Sequence, residues 1–587
     1  MAEVEIRTER IDDVPLLLHQ QQEMGIPEVL NALVHPHGNR QGLSMGWLTT
    51  TWLSFILSQG DHRMSQVEPW AMEQWESLQA LLPEPVQLKD FTDDRLADLL
   101  RCLSDDQTWE EVETQLGQRL VRVYDLKRGP VRLDSTSVAV YHGPEGHTLF
   151  RHGYSKDHRP DLAQFKVMLG ALDPLGMPLA TLVVAGQDAD DGLYLPAIHR
   201  ARQVVGQGGR LYLGDAKMGA LATRAAIQAG GDYYLTPLAS IGEVPELLRR
   251  LLEPVWHRQQ PLERVEVEAK EESAVPAARA APGGKAPELL ALGYETTRWQ
   301  EAVVEGERVT WEERVLVVYS PTLARQTRRG LAQRLAGAEE ALLALTPPRG
   351  RGKRQWTDLA ALQEAVQHIL KRYRVVGLLA VSYHQEVAEQ AIRQYGERLG
   401  RMEVRVRYVL RVQCDQPAIT GVRRLLGWRL YVSNAPVQEL PLAQGVWAYR
   451  GAPRIERDFH RFKGPLGIRP LYVQREDHAK GLVRLLSLAL RVLTLMEHIV
   501  RERLKGAGEK LKGLYAGNPQ RETGHPTTER LLQAFRGITL TVVHLPGQTI
   551  RHVTPLSQLQ HRILALLGLP AGRLACQPGP MRTWLPW

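Results

Sequence analysis

The sequence has few cysteines, and their arrangement narrows the class of protein. Cys102, Cys414 and Cys576 lie far apart in 587 residues and form no Cys-x2-Cys or Cys/His pattern. This argues against a disulfide framework and against a structural zinc site, and it is typical of proteins in a reducing compartment. We therefore expect a cytoplasmic protein.

The sequence also lacks the marks of a secreted or membrane protein. The opening residues, MAEVEIRTER, are charged and contain no apolar core of a signal peptide. The most apolar long run, 482–500, is interrupted by Arg484, Arg491 and Glu497. Charges in the middle of such a run favour a buried helix over a membrane span, so we expect no membrane partner.

Negative charge is concentrated at the start of the chain. Residues 1–110 contain 7 Lys and Arg against 19 Asp and Glu, a balance of −12, so the rest of this +7 chain carries +19. A basic body suits a protein that binds a polyanion, because phosphate neutralisation dominates affinity for nucleic acids. The alternative is an arginine-rich composition that says nothing about partners.

Two aspartates occur in strand-like segments. Asp134 lies within PVRLDSTSVAVY, and Asp215 follows the apolar run RLYLG. Adjacent strands can bring such carboxylates together, where they repel one another unless divalent cations lie between them. Mg²⁺ suits such a site because it prefers oxygen ligands. The alternative for either aspartate alone is a cap or turn residue.

A third acid lies in the segment 449–463, YRGAPRIERDFHRFK. Tyr449, Glu456 and Lys463 are spaced seven residues apart, which is close to two turns of helix. One helix over this segment would therefore present all three side chains on the same side. The alternative is a surface helix whose polar residues share this spacing by chance.

The order Asp134, Asp215, Tyr449, Glu456, Lys463 resembles the DDE transposases of bacterial insertion sequences, in the branch named for its Tyr-Arg-Glu-Lys signature. Further segments are similar to one subgroup: LFRHGYSKDHRPDLAQFK, DAKM and GLYAGNPQRETGHPTTERLLQAF. Ala452 stands at the arginine position of the signature, with Arg450 and Arg454 to either side as possible sources of the guanidinium.

The resemblance implies an enzyme that cuts and joins DNA. It implies two Mg²⁺ ions, with Mn²⁺ as a substitute, held by the catalytic acids Asp134, Asp215 and Glu456. It also implies a set of residues that position DNA phosphates, assigned here to Tyr449, Arg450, Arg454 and Lys463. Hydrolysis at the element end would free a 3′-hydroxyl, which attacks further phosphodiesters, with a hairpin at the element end.

The partners implied by the resemblance are double-stranded DNA, as terminal inverted repeats and as target, and a second copy of the chain. Two element ends must be brought together, so a homodimer is expected in the synaptic complex. The expected location is the prokaryotic cytoplasm, in association with the nucleoid.

Other basic residues are candidates for contact with DNA. The loop HGYSKDHRPD supplies Lys156, His158 and Arg159, although a solvated loop is an equal alternative. The segment 403–412 alternates apolar residues with a basic set, and this period of two predicts a strand with one basic face formed by Arg405, Arg407 and Arg411. An ordinary edge strand is the alternative. Relatives are thought to hold a flipped base with an aromatic residue, for which Trp299 and Trp311 are candidates.

We predict an α/β fold with a mixed sheet and flanking helices, which the resemblance implies is ribonuclease H-like. It is interrupted by a large, mainly β insertion and preceded by an all-α N-terminal domain. The predicted boundaries are 1–125 for the helical domain (end binding or dimerisation), 126–240 and 436–505 for the two parts of the core, 241–435 for the insertion and 506–587 for the C-terminal region.

Two other functions remain open. One is a catalytically silent or repurposed transposase that acts as a DNA-binding protein, which Ala452 favours. The other is a ribonuclease H-like nuclease that cleaves without strand transfer.

Overall fold

The structure is a computed structural model. It describes residues 5–36, 38, 41–127, 129–267, 288–350, 355–392, 401–451, 453–545, 548–570 and 572. The strands in these ranges are β1 Glu5–Arg10, β2 Val131–Val140, β3 Ala163–Leu172, β4 Met177–Ala185, β5 Leu211–Leu213, β6 Tyr233–Pro237, β7 Glu263–Glu266, β8 Leu289–Val304, β9 Glu307–Tyr319, β10 Leu379–Ile392, β11 Arg401–Cys414, β12 Trp428–Ser433, β13 Leu511–Lys512, β14 Glu522–Thr523, β15 Thr539–Leu545 and β16 Gln548–Val553.

The α-helices of the same ranges are α1 Val14–Met24, α2 Ile26–Leu33, α3 Met45–Gln59, α4 Val67–Glu73, α5 Trp75–Leu81, α6 Asp93–Ser104, α7 Asp106–Val123, α8 Tyr194–Val205, α9 Leu221–Ala229, α10 Val244–Trp256, α11 Pro321–Leu345, α12 Leu359–Arg372, α13 Gln416–Leu425, α14 Leu442–Arg450, α15 Pro453–Lys463, α16 Glu476–Ala507, α17 Thr528–Gln533 and α18 Gln558–Leu567.

A nine-stranded mixed sheet, in the order β4-β3-β2-β5-β6-β12-β9-β8-β7, lies at the centre. β5 pairs in parallel with β2 and with β6. β2, β3 and β4 pair antiparallel, and β3 and β4 form a hairpin. Every residue of β3, AQFKVMLGAL, is buried, as expected for a strand covered on both faces. The predicted α/β class with flanking helices is confirmed.

In its described residues, the segment 241–435 is a mixture of helices and strands, and four of its strands join the central sheet. β12 pairs with β6, with Val432 opposite Thr236, and β9, β8 and β7 then extend the central sheet. Only β10 and β11 form a separate hairpin, and α11 and α12 cover its apolar side around Leu335, Leu362 and Leu410. A two-stranded hairpin is marginally stable alone, which explains the helical cover. The predicted insertion is therefore a mixture of helices and strands.

The leading region departs from the all-α prediction in its first segment. β1 pairs antiparallel with β15, with Ile6 opposite Val543, and β16 completes a three-stranded sheet. The segment EIRTER has no apolar alternation of its own, so its strand conformation depends on a partner near the other end of the chain. The predicted helices that follow are present as α1 to α7. The domain boundaries themselves stay a prediction.

The 32-residue helix α16 buries most of its side chains. It packs on α1, α3 and α6 of the leading region and on β4, α15, α17 and α18. Its charged residues are paired: Arg491 Nη2 lies 2.6 Å from Glu113 Oε1 of α7, and both side chains are at most 2% exposed. The apolar run is thus a buried helix, as predicted. Among the described helices, none combines the length and apolar character that crossing a membrane requires.

Gly481 allows α16 to approach α6 closely, since a Cβ on this residue would lie 2.0 Å from the carbonyl oxygen of Leu100. We expect Gly481→Ala to destabilise the protein by about 1–3 kcal/mol, because backbone atoms must move to make room. Thermal melting followed by circular dichroism measures the change. Gly506→Ala in the same helix is the control: a Cβ there meets no heavy atom within 4 Å. This control should gain up to about 1 kcal/mol from helix propensity. Equal losses in both variants would contradict the packing argument.

Candidate active site

β2 and β5 place two of the predicted acids side by side. In their parallel pairing, Arg132 lies opposite Leu213. Asp134 lies two residues further along β2, and Asp215 follows the end of β5 by two residues. Burial raises the pKa of Asp134, Lys156 opposes this rise, and the negative charge of Asp215 adds to it. The two carboxylates are therefore close enough to repel each other.

Asp215 is held in place by hydrogen bonds from several elements. The Tyr194 hydroxyl of α8 donates to its Oδ1 at 2.7 Å, and the backbone N–H of Lys217 donates to the same oxygen at 2.8 Å. The Thr236 hydroxyl of β6 donates to the backbone carbonyl of Asp215 at 2.6 Å. Gly214 makes room for the Tyr194 side chain, since a Cβ on this glycine would lie 3.0 Å from the Tyr194 ring. The site is therefore oriented by both α8 and β6.

Lys156 lies inside the site. Its Nζ is 3.5 Å from Asp134 Oδ1 and donates to the carbonyl and hydroxyl oxygens of Ser135 at 2.6 and 2.9 Å. In this structure the ammonium is a counter-ion of Asp134, and contact of Lys156 with DNA stays a prediction. His158 and Arg159 of the same loop are exposed, and Arg159 pairs with Asp161 at 2.7 Å. Contact of these two residues with DNA stays a prediction.

Asp190 is a further acid of the site, in the short turn that precedes α8. Its side chain is 2% exposed. It accepts hydrogen bonds from the ammonium of Lys166, at 2.7 Å, and from the ammonium of Lys217. Lys156 Nζ lies 3.7 Å from its Oδ2. Burial opposes ionisation of Asp190, but the hydrogen bonds from Lys166 and Lys217 outweigh it and lower its pKa to about 2. The lysines come from three separate segments, so no local pattern reveals the cluster.

The segment 449–463 forms two helices, so the single-helix prediction is wrong. α14 ends at Arg450 and α15 begins at Pro453. In a continuous helix Pro453 would have to donate an N–H to the carbonyl of Tyr449, and proline has none. Tyr449 is therefore on a different helix from Glu456. Ala452 lies outside the described residues.

Glu456 lies in the first turn of α15, and its side chain is exposed. α15 packs on α16 and on β2, the strand of Asp134. Within the part of the chain that the structure describes, no group of three or more His, Cys, Asp or Glu is arranged to hold a metal ion. Asp134 and Asp215 are adjacent oxygen donors of the kind that Mg²⁺ prefers, so they fit as two ligands. Glu456 as the third ligand stays a prediction.

Tyr449 and Lys463 border the acid pair from two sides. The Tyr449 ring packs edge-on against Tyr431 of β12, with centroids 4.7 Å apart. Burial raises the pKa of Tyr449 to about 12, and the charges of Tyr431 and Asp215 contribute in the same direction. Lys463 Nζ lies 2.7 Å from Asp157 Oδ1, next to Lys156 in the chain. Both residues thus lie near the site.

The two arginines proposed to replace the signature guanidinium have partners of their own. Arg450 donates to the Leu290 carbonyl of β8 at 2.6 Å and to the Ser320 hydroxyl at 3.1 Å. Arg454 Nη1 lies 3.7 Å from Asp173 Oδ2, in the turn between β3 and β4. A phosphate-positioning role for either residue stays a prediction.

The predicted strand with a basic face is present as β11. Arg407 pairs with Glu386 at 2.6 Å and donates to Gln355 at 2.8 Å, whereas Arg405 and Arg411 lie on the exposed side of the hairpin. The basic face is thus partly neutralised by its own hairpin. Contact with DNA stays a prediction for all three arginines.

The two candidate tryptophans have different environments. Trp299 of β8 is 75% exposed, whereas Trp311 of β9 is 4% exposed and donates from Nε1 to the Tyr234 hydroxyl at 2.9 Å. Of these two rings, Trp299 is the one with a face open to a partner.

Two neighbouring carboxylates, one on β2 and one just after β5 of a mixed sheet, are bordered by lysines and define a candidate site for phosphoryl transfer. The family model of the transposase DDE domain matches residues 127–492, which include Asp134, Asp215 and Glu456. The chain therefore belongs to the DDE transposase family.

Among solved structures, the chain is similar to a piggyBac transposase synaptic complex with hairpin DNA, at 10% identity and a TM-score of 0.32. That similarity covers 89% of this chain and 79% of the other. A comparison with curated proteins finds no match.

Asp157 fastens the loop of Lys156 to the segment around α15, since it pairs with Lys463 at 2.7 Å and with Arg469 at 2.9 Å. We expect Asp157→Ala to speed amide hydrogen exchange in residues 151–160 by about fivefold, equivalent to about 1 kcal/mol, because two ion pairs are lost. Mass spectrometry of the exchanging protein measures this. Asp161→Ala, which removes only the pairing of the exposed Arg159, is the control. Unchanged exchange in Asp157→Ala would show that the loop is held by other contacts.

Proposed function

We propose that this protein is a transposase of a bacterial insertion sequence that moves DNA by a cut-and-paste reaction. The observation that carries the proposal is that Asp134 of β2 and Asp215, just after β5, are close enough for their charges to interact, within the segment that matches the family model. We assign strands β4-β3-β2-β5-β6 as a ribonuclease H-like core and the segment from Tyr449 to Lys463 as a Tyr-Arg-Glu-Lys signature.

In this proposal, Asp134 and Asp215 bind divalent cations, two Mg²⁺ with Mn²⁺ as a substitute, and Glu456 joins them from α15. When bound, such cations activate the attacking oxygen and stabilise the leaving one in an in-line displacement. The residues of the chain supply orientation. Tyr194 and Lys217 fix Asp215, while Tyr449 and Lys463 hold DNA phosphates beside the acids, which aligns the attack.

The proposed substrate is double-stranded DNA, at the terminal inverted repeats and at the target. Water attacks a phosphodiester at the element end and frees a 3′-hydroxyl, which then attacks the opposite strand to form a hairpin and, after the hairpin is opened, the target strand. The balance of +19 after residue 110 supports binding to such a polyanion. We also propose a homodimer that pairs the two ends, acting in the prokaryotic cytoplasm at the nucleoid.

Glu456→Gln tests the role of the third acid. We expect its affinity for element-end DNA to change by less than about twofold, because Glu456 is exposed and its substitution breaks no ion pair seen among the described residues. Mg²⁺-dependent cleavage should fall by roughly a thousandfold or more, since a ligand is lost. Gel shift and strand-cleavage assays measure the two quantities. Glu364→Gln, an exposed glutamate of α12, is the control and should retain both. A Glu456→Gln protein that still nicks element ends would refute the assignment.

The exposure of Trp299 gives a test of base holding. Stacking on an aromatic ring is worth about 1–3 kcal/mol per base, so Trp299→Ala should weaken binding to hairpin-ended DNA by about tenfold. Fluorescence of 2-aminopurine at the hairpin tip measures whether a base is unstacked. The control is Trp256→Ala, which removes an exposed ring of α10. Equal binding by the two variants would exclude Trp299 as the stacking residue.

A second candidate function is a catalytically silent or repurposed transposase that binds DNA. The observation that favours it is that Glu456 is exposed and, among the described residues, no three-acid group is formed. Mg²⁺-dependent cleavage by the unmodified protein distinguishes the two functions. A joining assay with pre-cleaved ends separates a transposase from a nuclease that does not transfer strands.

A further inference from the structure

Three ammonium groups and three carboxylates meet at the acid pair, and the reaction proposed above leaves part of this cluster without a role. Asp190 is buried and binds Lys166 and Lys217 directly. Lys156 reaches the same carboxylate from the loop after β2. With Asp134 and Asp215, the cluster carries three negative and three positive charges, so it is neutral as a whole. The three carboxylates are therefore neutralised by lysines of the protein itself.

Lys156 lies between two carboxylates. Its Nζ is 3.5 Å from Asp134 Oδ1 and 3.7 Å from Asp190 Oδ2, and its side chain is 28% exposed. A small rotation of a flexible side chain would bring the ammonium fully onto either acid. Lysine suits such a role, since it is a compact charge on a stem of rotatable bonds. Asp190 cannot follow the ammonium, because Lys166 and Lys217 hold it.

A cation that binds Asp134 must compete with this ammonium. Both are attracted to the same carboxylate, and two positive charges within a few ångströms repel each other. Removal of Lys156 would leave Asp134 and Asp215 as an unbalanced acid pair, which raises the affinity for a divalent cation. Removal of Asp190 would take away the second position of the ammonium and confine it to Asp134.

We propose that Lys156 is a built-in counter-ion that competes with a divalent cation for Asp134, and that Asp190 is the positioning residue that receives the ammonium when the cation binds. The inference rests on the proposed function, because it assigns the control of metal occupancy at the same acid pair.

Mn²⁺ binding to the full-length protein without DNA, followed by electron paramagnetic resonance, tests the proposal. We expect Lys156→Met to bind Mn²⁺ on the order of tenfold more tightly than the unmodified protein, since a partly exposed ion pair no longer competes. Lys505→Met removes an exposed lysine of α16 and should leave the affinity unchanged. Equal affinity of Lys156→Met and the unmodified protein would overturn the proposal.

Asp190→Asn provides a test in the opposite direction. This variant should bind Mn²⁺ more weakly, and the loss should become smaller when Lys156→Met is added, because part of it acts through the Lys156 ammonium and the rest through Lys166 and Lys217, which lose their partner. A loss of the same size in both backgrounds would show a structural effect of Asp190 and would contradict its assigned role. Lys156 lies in the loop between β2 and β3, so we expect Lys156→Met to fold. The first test is therefore independent of whether Asp190→Asn folds.

Asp134→Asn in the Lys156→Met background distinguishes failure of the proposed function from failure of the counter-ion inference. If it leaves Mn²⁺ binding unchanged, the acid pair does not bind the ion and the proposed function fails with the inference. If it abolishes binding while Lys156→Met has the affinity of the unmodified protein, only the counter-ion inference fails.

Discussion

The burial of α16 is the constraint on which the arrangement of the other elements depends. This helix has the sheet on one side and the leading helices on the other, so apolar side chains around most of its circumference are removed from water. Glu113 of α7 connects α16 with the sheet. It accepts a hydrogen bond from Arg491 of α16 and another, at 3.1 Å, from the backbone N–H of Thr181 in β4. An unpaired charge at this depth would be strongly destabilising, so the position of α16 is coupled to α7 and β4 together.

α16 also determines how Glu456 is presented. Glu497 of α16 lies 2.8 Å from Arg457 and 2.5 Å from Arg461, one turn apart on α15. These two ion pairs turn one side of α15 toward α16. Glu456 is about 100° around the helix from Arg457, so it lies on the side that remains exposed. The same contacts that anchor the helix thus keep the predicted third acid at the surface beside β2.

Local patterns in the sequence predict much of the fold. The strand-like segments around Asp134 and before Asp215 are present as β2 and β5, the alternating segment 403–412 as β11, and the apolar run 482–500 as part of α16. The break before α15 had a local signal as well, since Gly451 and Pro453 both disfavour a continuous helix. The missed strand β1 had none, because its conformation depends on β15. The joining of β12 to β6 is likewise a pairing of distant segments that no local pattern specifies.

In the candidate site too, the sequence indicates the types of residue, whereas their positions relative to one another depend on strand register. The sequence identifies Asp134 and Asp215 as strand-associated acids, but their adjacency depends on the pairing of Arg132 with Leu213. A shift of one residue would turn one carboxylate to the opposite face. The lysines around Asp190 depend on three such placements at once, which is why the sequence indicated the acids and missed their counter-ions.

The extended sheet gives the segment 241–435 a direct part in building the site. β12 is the last strand of this segment, pairs with β6 and leads into α14. Its Tyr431 packs against Tyr449, whose ring lies near Asp215. A change in the pairing of β12 would therefore move Tyr449 relative to the acids. The segment 241–435, between the two parts of the core, thus helps to position the residues around the acid pair.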